Sequence, residues 1–175
     1  DIVVPIPDSG NLAAQGYAEE RNLPFVMAFV RNHYIGRTFL EPTQENRELR
    51  ARMKLNLNKD LVKDKRVIVI DDSLVRGTTA RSKVRSLKEA GALEVHMLIS
   101  CPPHMHPCLY GIDFPSRAEL MAANFKPDEI CSFIGTDSLH YLSVEGMVRA
   151  TGQPVHEFCL ACWSGEYPTQ TESKG

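Results

Sequence analysis

With 175 residues, 43% of them hydrophobic, and a formal net charge of −2, the chain is long enough to bury one full core. That balance excludes a disordered segment and a polyanion-binding surface, so nucleic acid is not an expected partner. No apolar run approaches the roughly 20 residues of a membrane helix, and no secretory signal is visible.

Residues 1–7, Asp1-Ile2-Val3-Val4-Pro5-Ile6-Pro7, read as a parallel strand. The chain opens inside that run without a Met and is expected to be part of a longer protein. Pro7-Asp8-Ser9-Gly10 predicts a turn, and Leu12, Ala13, Gly16 and Tyr17 follow at helical spacing. On its own this is an ordinary strand–turn–helix unit with Gly10 beside a helix N-terminus. Residues 24–30, Pro24 to Val30, predict the next strand. After it, mixed polar and aromatic residues with Gly36 and Pro42 predict a long loop. The basic run Arg47, Arg50, Arg52 and Lys54 is interleaved with Glu45 and Glu48, as a solvated helix face would be.

The most informative stretch is 66–79. Val67 to Ile70 are four β-branched residues without a polar break, the pattern of a parallel strand buried on both faces. Asp71 and Asp72 follow at its carboxyl end, where open α/β sheets bind ligands. Ser73, Thr78 and Thr79 supply hydroxyls, Gly77 lets backbone N–H groups close around an anion, and Thr79 is expected to cap a helix from Ala80. This is a phosphate-binding pattern, although no Gly-x-x-x-x-Gly-Lys occurs. Two carboxylates beside a phosphate make sense if the ligand also brings sugar hydroxyls and Mg²⁺.

Ala80 to Ala90 predicts a helix with Val84 and Leu87 inward and Arg81, Lys83, Arg85 and Lys88 outward, ended by Gly91. Val95 to Ile99 predicts another strand, giving an alternating order typical of a parallel α/β sheet. Prolines 102, 103 and 107 exclude a regular element there. Residues 117–125, 127–134 and 143–150 predict three short helices. Ser116 with Glu119 suggests a capping box for the first, and Ser143 opens the last. Residues 170–175 look like a polar tail.

Five cysteines are an odd number: Cys101, Cys108, Cys131, Cys159 and Cys162. Cys159-Leu160-Ala161-Cys162 alone leaves zinc, redox chemistry, half an iron–sulfur site or no function open. Cys101 and Cys131 read as small buried apolar residues. His104, His106 and His156 read individually as surface or satisfied histidines.

Val-Ile-Val-Ile-Asp-Asp-Ser-Leu-Val-Arg-Gly-Thr-Thr closely resembles the signature with which type I phosphoribosyltransferases bind 5-phosphoribosyl diphosphate (PRPP). Its Ser-Leu-Val-Arg-Gly-Thr-Thr form resembles that of the amidophosphoribosyltransferase family. Three more segments carry the likeness: Val-Pro-Ile-Pro-Asp-Ser-Gly, Tyr-Ile-Gly-Arg-Thr-Phe with the Pro, Gln and Arg behind it, and Pro-Cys-Leu-Tyr-Gly-Ile-Asp. The resemblance covers residues 1–169 and implies a type I phosphoribosyltransferase fold, a parallel sheet flanked by helices with a long catalytic lid loop and C-terminal helices.

By that resemblance Asp8, Ser9 and Gly10 face the diphosphate. Asp71 and Asp72 hold the ribose, while Ser73, Arg76, Gly77, Thr78 and Thr79 cradle the 5-phosphate. Mg²⁺ falls to Ser9, Asp71 and Asp72. Tyr34, Gly36, Arg37, Thr38, Gln44 and Arg47 form the lid, with Arg37 catalytic beside Asp71 and Asp72. Arg31 and Arg47 join Arg37 as basic candidates for the diphosphate or an effector nucleotide. Cys108, Cys159 and Cys162 match three ligands of a 4Fe–4S cluster whose fourth ligand lies outside this sequence.

The implied reaction transfers ammonia to C1 of PRPP, giving 5-phosphoribosylamine and pyrophosphate, the first step of purine synthesis. In the family a separate glutaminase domain supplies the ammonia from glutamine, so this chain alone is expected either to use free ammonia or to be inactive. Purine nucleotide inhibitors, a homotetramer and a cytoplasmic location without disulfides are further expectations. A PRPP-binding regulatory module without catalysis is the competing class. A base-salvage enzyme fits the signature but leaves Cys108, Cys159 and Cys162 unexplained.

Overall fold

The computed structural model describes residues 1–31, 55–112 and 116–169. Its centre is a four-stranded parallel sheet built from β1 (Ile2–Pro5), β4 (Arg66–Asp71), β5 (Glu94–Ile99) and β6 (Ser138–Tyr141), in the order β1-β4-β5-β6. Val3 pairs with Ile68, Ile68 with His96, and His96 with Ser138, so the strands are in step across the sheet. A separate antiparallel ribbon joins β2 (Phe29–Arg31) to β3 (Leu55–Leu57).

Helices cover both faces of the sheet, as parallel strands require. Helix α1 (Asn11–Arg21) lays Ala14 and Ala18 on Val3 and Ile70. The spacing of Leu12, Ala13, Gly16 and Tyr17 located this helix but not its inner face: Leu12 is 83% exposed, and the small alanines let the helix sit close. On the opposite face α2 (Thr78–Glu89) buries Ala80, Val84 and Leu87 against Val67, Val69, Val95 and Met97. With α4 (Pro127–Ile134), whose Ile130 and Ile134 are almost wholly enclosed, it forms the larger core. Burial of these branched side chains stabilises the fold by about 1.5–3 kcal/mol each.

Several local expectations change. The predicted strand at 24–30 divides. Phe25 makes one bridge to Val3, and Phe29–Arg31 turns away to pair with β3. Helix α2 begins at Thr78, not Ala80, and Gly77, with φ +72°, is its N-cap in place of Thr79. Lys83 faces inward at 6% exposure, its ammonium lying over the Phe29 ring at 5.7 Å. The helix predicted for 117–125 is a 3₁₀ turn, Arg117–Glu119, followed by the short α3 (Met121–Asn124). The Asn124 amide donates to the carbonyls of Arg117, Ala118 and Leu120, in competition with a regular helical ladder.

The Ser116–Glu119 capping box is incomplete, because the Ser116 hydroxyl donates to Glu119 Oε1 and accepts no helix N–H, while Arg76 holds Oε2. Glu129 instead caps α4 by accepting from the Lys126 N–H at 2.7 Å. Ser143 does open α5 (Val144–Thr151), accepting from the Gly146 N–H. Strand β6 and the one-turn α6 (Ala161–Ser164) were not foreseen. No helix among the described residues is long and apolar enough to cross a membrane.

Candidate active site

Strands β1 and β4 are parallel neighbours, so their two exit loops open at the same edge of the sheet. An open cavity of about 350 Å³ lies there, lined by Ile6, Ser9 and every residue from Asp71 to Ala80. Loop β4–α2 thus supplies most of the wall, and the β1–α1 loop supplies the rest.

Gly10 fixes the first loop against the carboxyl end of β4. A Cβ there would stand 2.5 Å from the Ile70 carbonyl oxygen and 2.8 Å from that of Ile6. Only glycine permits this backbone contact. The Ile6 N–H donates to Ile70 O at 2.8 Å, and the Gly10 N–H donates to Ile6 O. Gly10 therefore positions the loop without lining the cavity. Asp8 is paired with Arg31 and does not line the cavity either, while the neighbouring Ser9 does.

Asp71 and Asp72 differ despite being adjacent. Asp71 is the last residue of β4 and 9% exposed, whereas Asp72 is solvent-exposed. Asp71 Oδ1 accepts from the Asp72 N–H at 2.9 Å, and its carbonyl accepts from the Ser100 N–H. Burial, followed by a side-chain hydrogen bond with Asp72, pushes the Asp71 carboxyl up to about 7. Lys83 pulls in the opposite direction, and its own pKa is lowered by burial. A strand end with one buried acid, one exposed acid and a cation behind them is suited to hydroxyls and a hard cation. The oxygen donors Ser9, Asp71 and Asp72 surround one cavity without closing a cage. That arrangement fits Mg²⁺, which keeps waters and takes phosphate oxygens as ligands.

Beyond the acids the chain wraps an anion-sized hollow. The Ser73 hydroxyl donates to Asp72 Oδ1 at 3.3 Å. Gly77 is buried, and Thr78 and Thr79 are exposed in the first turn of α2, where N–H groups and the helix dipole favour a phosphate. The Arg76 side chain is engaged elsewhere, its Nε donating to Glu119 Oε2 at 2.8 Å. Lys83 and Glu119 were missed as contributors to this region. Helix phase placed Lys83 on the solvent side, and nothing local marks Glu119 as the partner of Arg76, which lies 43 positions away.

Three of the thiols, Cys108, Cys159 and Cys162, lie near enough to repel one another. Cys162 O accepts from the Met105 and His106 N–H groups at 3.0 and 3.1 Å, which brings α6 against the proline-rich loop. Burial raises the Cys162 pKa, with repulsion from Cys108 and Cys159 adding to it. The Tyr110 N–H donates to Cys108 Sγ at 3.4 Å. Among the described residues no three His, Cys, Asp or Glu side chains stand close enough to hold one ion.

Cys101 and Cys131 are half-buried, not fully buried apolar residues. Their thiols donate to Pro102 O and Thr136 O. His104 is buried beside Trp163, and His106 packs under Gly165. Tyr34, Gly36, Arg37, Thr38, Gln44 and Arg47, together with the 170–175 tail, lie outside the described residues.

A parallel α/β sheet with two anion-binding loops at one carboxyl edge and an acid pair between them defines a phosphoribosyltransferase domain. The phosphoribosyl transferase domain model matches residues 1–108, and the chain belongs to that family. Within it, the chain is similar to amidophosphoribosyltransferases. Identity is 52% with the Synechocystis enzyme, over 96% of this chain and 34% of that protein. It is 48% with the Methanocaldococcus jannaschii enzyme, over 97% of this chain and 36% of that protein. The solved glutamine PRPP amidotransferase of B. subtilis, complexed with ADP and GMP, superposes with a TM-score of 0.89 at 46% identity, covering 99% of this chain and 39% of that one. The chain spans about a third of the length of these curated relatives.

Proposed function

We propose that this chain is the PRPP-handling part of an amidophosphoribosyltransferase, in which ammonia displaces pyrophosphate from C1 of PRPP to give 5-phosphoribosylamine, the opening step of purine synthesis. The observation that carries this reading is the one cavity shared by Ser9 and residues 71–80, with Gly10 seating the β1–α1 loop on the end of β4. A ligand with a phosphate at one end, a diphosphate at the other and a diol between them matches that sequence of donors.

In this reading the 5-phosphate sits on the backbone N–H groups from Ser73 through Thr79 and the hydroxyls of Ser73, Thr78 and Thr79. Asp72 and Asp71 accept from the ribose hydroxyls, and their negative charge favours the cationic character that develops at C1 as the leaving group departs. In the β1–α1 loop Ser9 faces the diphosphate from the cavity wall, with Asp8 and Gly10 setting the loop beside it. Asp71, Asp72 and Ser9 would hold Mg²⁺, which would supply charge neutralisation for the leaving diphosphate. Neutral ammonia is already a nucleophile, so no side chain is needed to activate it. The three thiols Cys108, Cys159 and Cys162 are soft donors of the kind a 4Fe–4S cluster takes, with a fourth ligand coming from outside this sequence. A glutaminase partner domain, purine nucleotide control, tetramer formation and a cytoplasmic location belong to the same reading.

The test is calorimetric titration of PRPP with and without Mg²⁺, followed by pyrophosphate release with ammonium or glutamine as nitrogen donor. Mg²⁺-dependent binding with ammonium-supported release is expected. Failure to bind PRPP overturns the reading, and binding without any release in the intact protein favours the non-catalytic regulatory module.

A further inference from the structure

Residues 116–133 make four contacts with the phosphate loop. Arg76 Nε donates to Glu119 Oε2 at 2.8 Å. That hydrogen bond holds the Glu119 carboxyl below the usual carboxylate range. The Met121 N–H donates to Val75 O at 2.9 Å, one residue earlier in the loop. The Met121 side chain, 7% exposed, fills the space beneath Gly77 so fully that a Cβ there would stand 2.2 Å from its sulfur. The Phe133 ring edge would stand 3.4 Å from the same Cβ, and Arg81, in the first turn of α2, lies over that ring at 4.8 Å. The contacting segment is itself fastened, because the Asn124 amide bonds three of its carbonyls.

We propose that Arg76 and Glu119 form a latch which, with Met121 behind Gly77, holds the phosphate loop in its binding shape. The Arg76 guanidinium is then a positioning group and not a ligand of the sugar phosphate. This rests on the PRPP reading above and reassigns one side chain within it. The physical logic is preorganisation. A loop that receives an anion mainly on backbone N–H groups has to hold those groups convergent before the ligand arrives, or affinity is lost in ordering them. Gly77 sits at φ +72°, where the chain has most freedom, and the contacts from Met121 and Glu119 bracket it on both sides. Glu119 occupies the Nε–H edge of the Arg76 guanidinium, which removes the side-on fork and leaves the Nη pair, and its carboxylate offsets the charge that would draw Arg76 to a phosphate.

The test is a double-mutant cycle in the intact protein: Arg76→Ala, Glu119→Ala, the double variant, and the charge exchange Arg76→Glu with Glu119→Arg. Mg²⁺–PRPP affinity, KM and kcat are measured for each. Each single variant is expected to weaken PRPP binding about three- to tenfold with kcat at saturation within about twofold. The double variant is expected to be no worse than either single, and the exchange to restore affinity to within about twofold. A loss of about a hundredfold or more in Arg76→Ala alone, with Glu119→Ala unchanged or tighter, identifies Arg76 as a phosphate ligand and overturns the latch. Four indistinguishable affinities also overturn it. If the wild type fails to bind PRPP, the functional reading falls instead. The latch is then judged by amide exchange at Val75–Thr78, which should quicken in both singles and recover in the exchange, and which overturns it if unaltered.

Discussion

Replacing Asp71 by Asn should make the protein more stable, by an amount that depends on pH. Asn keeps an oxygen to accept the Asp72 N–H and adds N–H donors toward the Asp72 carboxylate, so the change removes a charge with little change of shape. The unfolded chain loses the Asp71 proton near pH 3.8, whereas the folded chain loses it at about 7. Between those values the folded state binds more protons, so Asp71 lowers stability progressively as pH rises through that window, and the deficit is complete above it. Each unit is about 1.4 kcal/mol, so the gain on removing the charge is about 0.5 kcal/mol at pH 4 and at most about 4 kcal/mol at pH 8. The attraction of Lys83 is already contained in that figure, because it lowers the folded value of Asp71. Urea unfolding of both proteins at pH 4, 5.5 and 8 in the presence of a chelator measures it. An equal gain at every pH, or none at pH 8, refutes the reasoning.

Two further outcomes follow from the loops and the thiols. Gly77→Ala and Gly10→Ala should each destabilise by about 2–3 kcal/mol and weaken PRPP binding more than tenfold. Gly10→Ala should be the worse, because its neighbours are the Ile70 and Ile6 carbonyls, while the Met121 side chain near Gly77 can swing aside. Thermal unfolding and calorimetry check both. Trp163 is the sole tryptophan and adjoins Cys162. Assembling iron and sulfide on the three thiols should therefore quench its emission, and Cys162→Ser should abolish the quench. Unchanged fluorescence on loading would count against the cluster assignment.

The strand Val67–Ile70, the acids at its end and the hydroxyl-rich turn were legible because each carries a local signal: β-branched continuity, paired charge and glycine beside hydroxyls. Helix α2 was legible in its extent, but its inner face was not. A lysine at position 83 reads as solvated by periodicity alone, and only the ring of Phe29 and the acid on β4 explain its burial. The capping box at Ser116 failed for a similar reason. The Glu119 carboxylate bonds the Ser116 hydroxyl with one oxygen and the distant Arg76 with the other, and the second partner has no local mark. The last sheet strand, Ser138–Tyr141, went unread because it is short and carries two polar residues. Its place is set by pairing with β5, which no window of sequence contains.

The contact between Gly10 and the Ile70 carbonyl makes the cavity a caliper of set width. Adjacent strands stand about 4.8 Å apart, and with Gly10 seated on the carboxyl end of β4, the β1–α1 loop cannot slide along the sheet without dragging that strand. A molecule is gauged by whether its two anionic ends span that gap, so analogues longer or shorter by one bond should be sorted by reach before any chemistry begins.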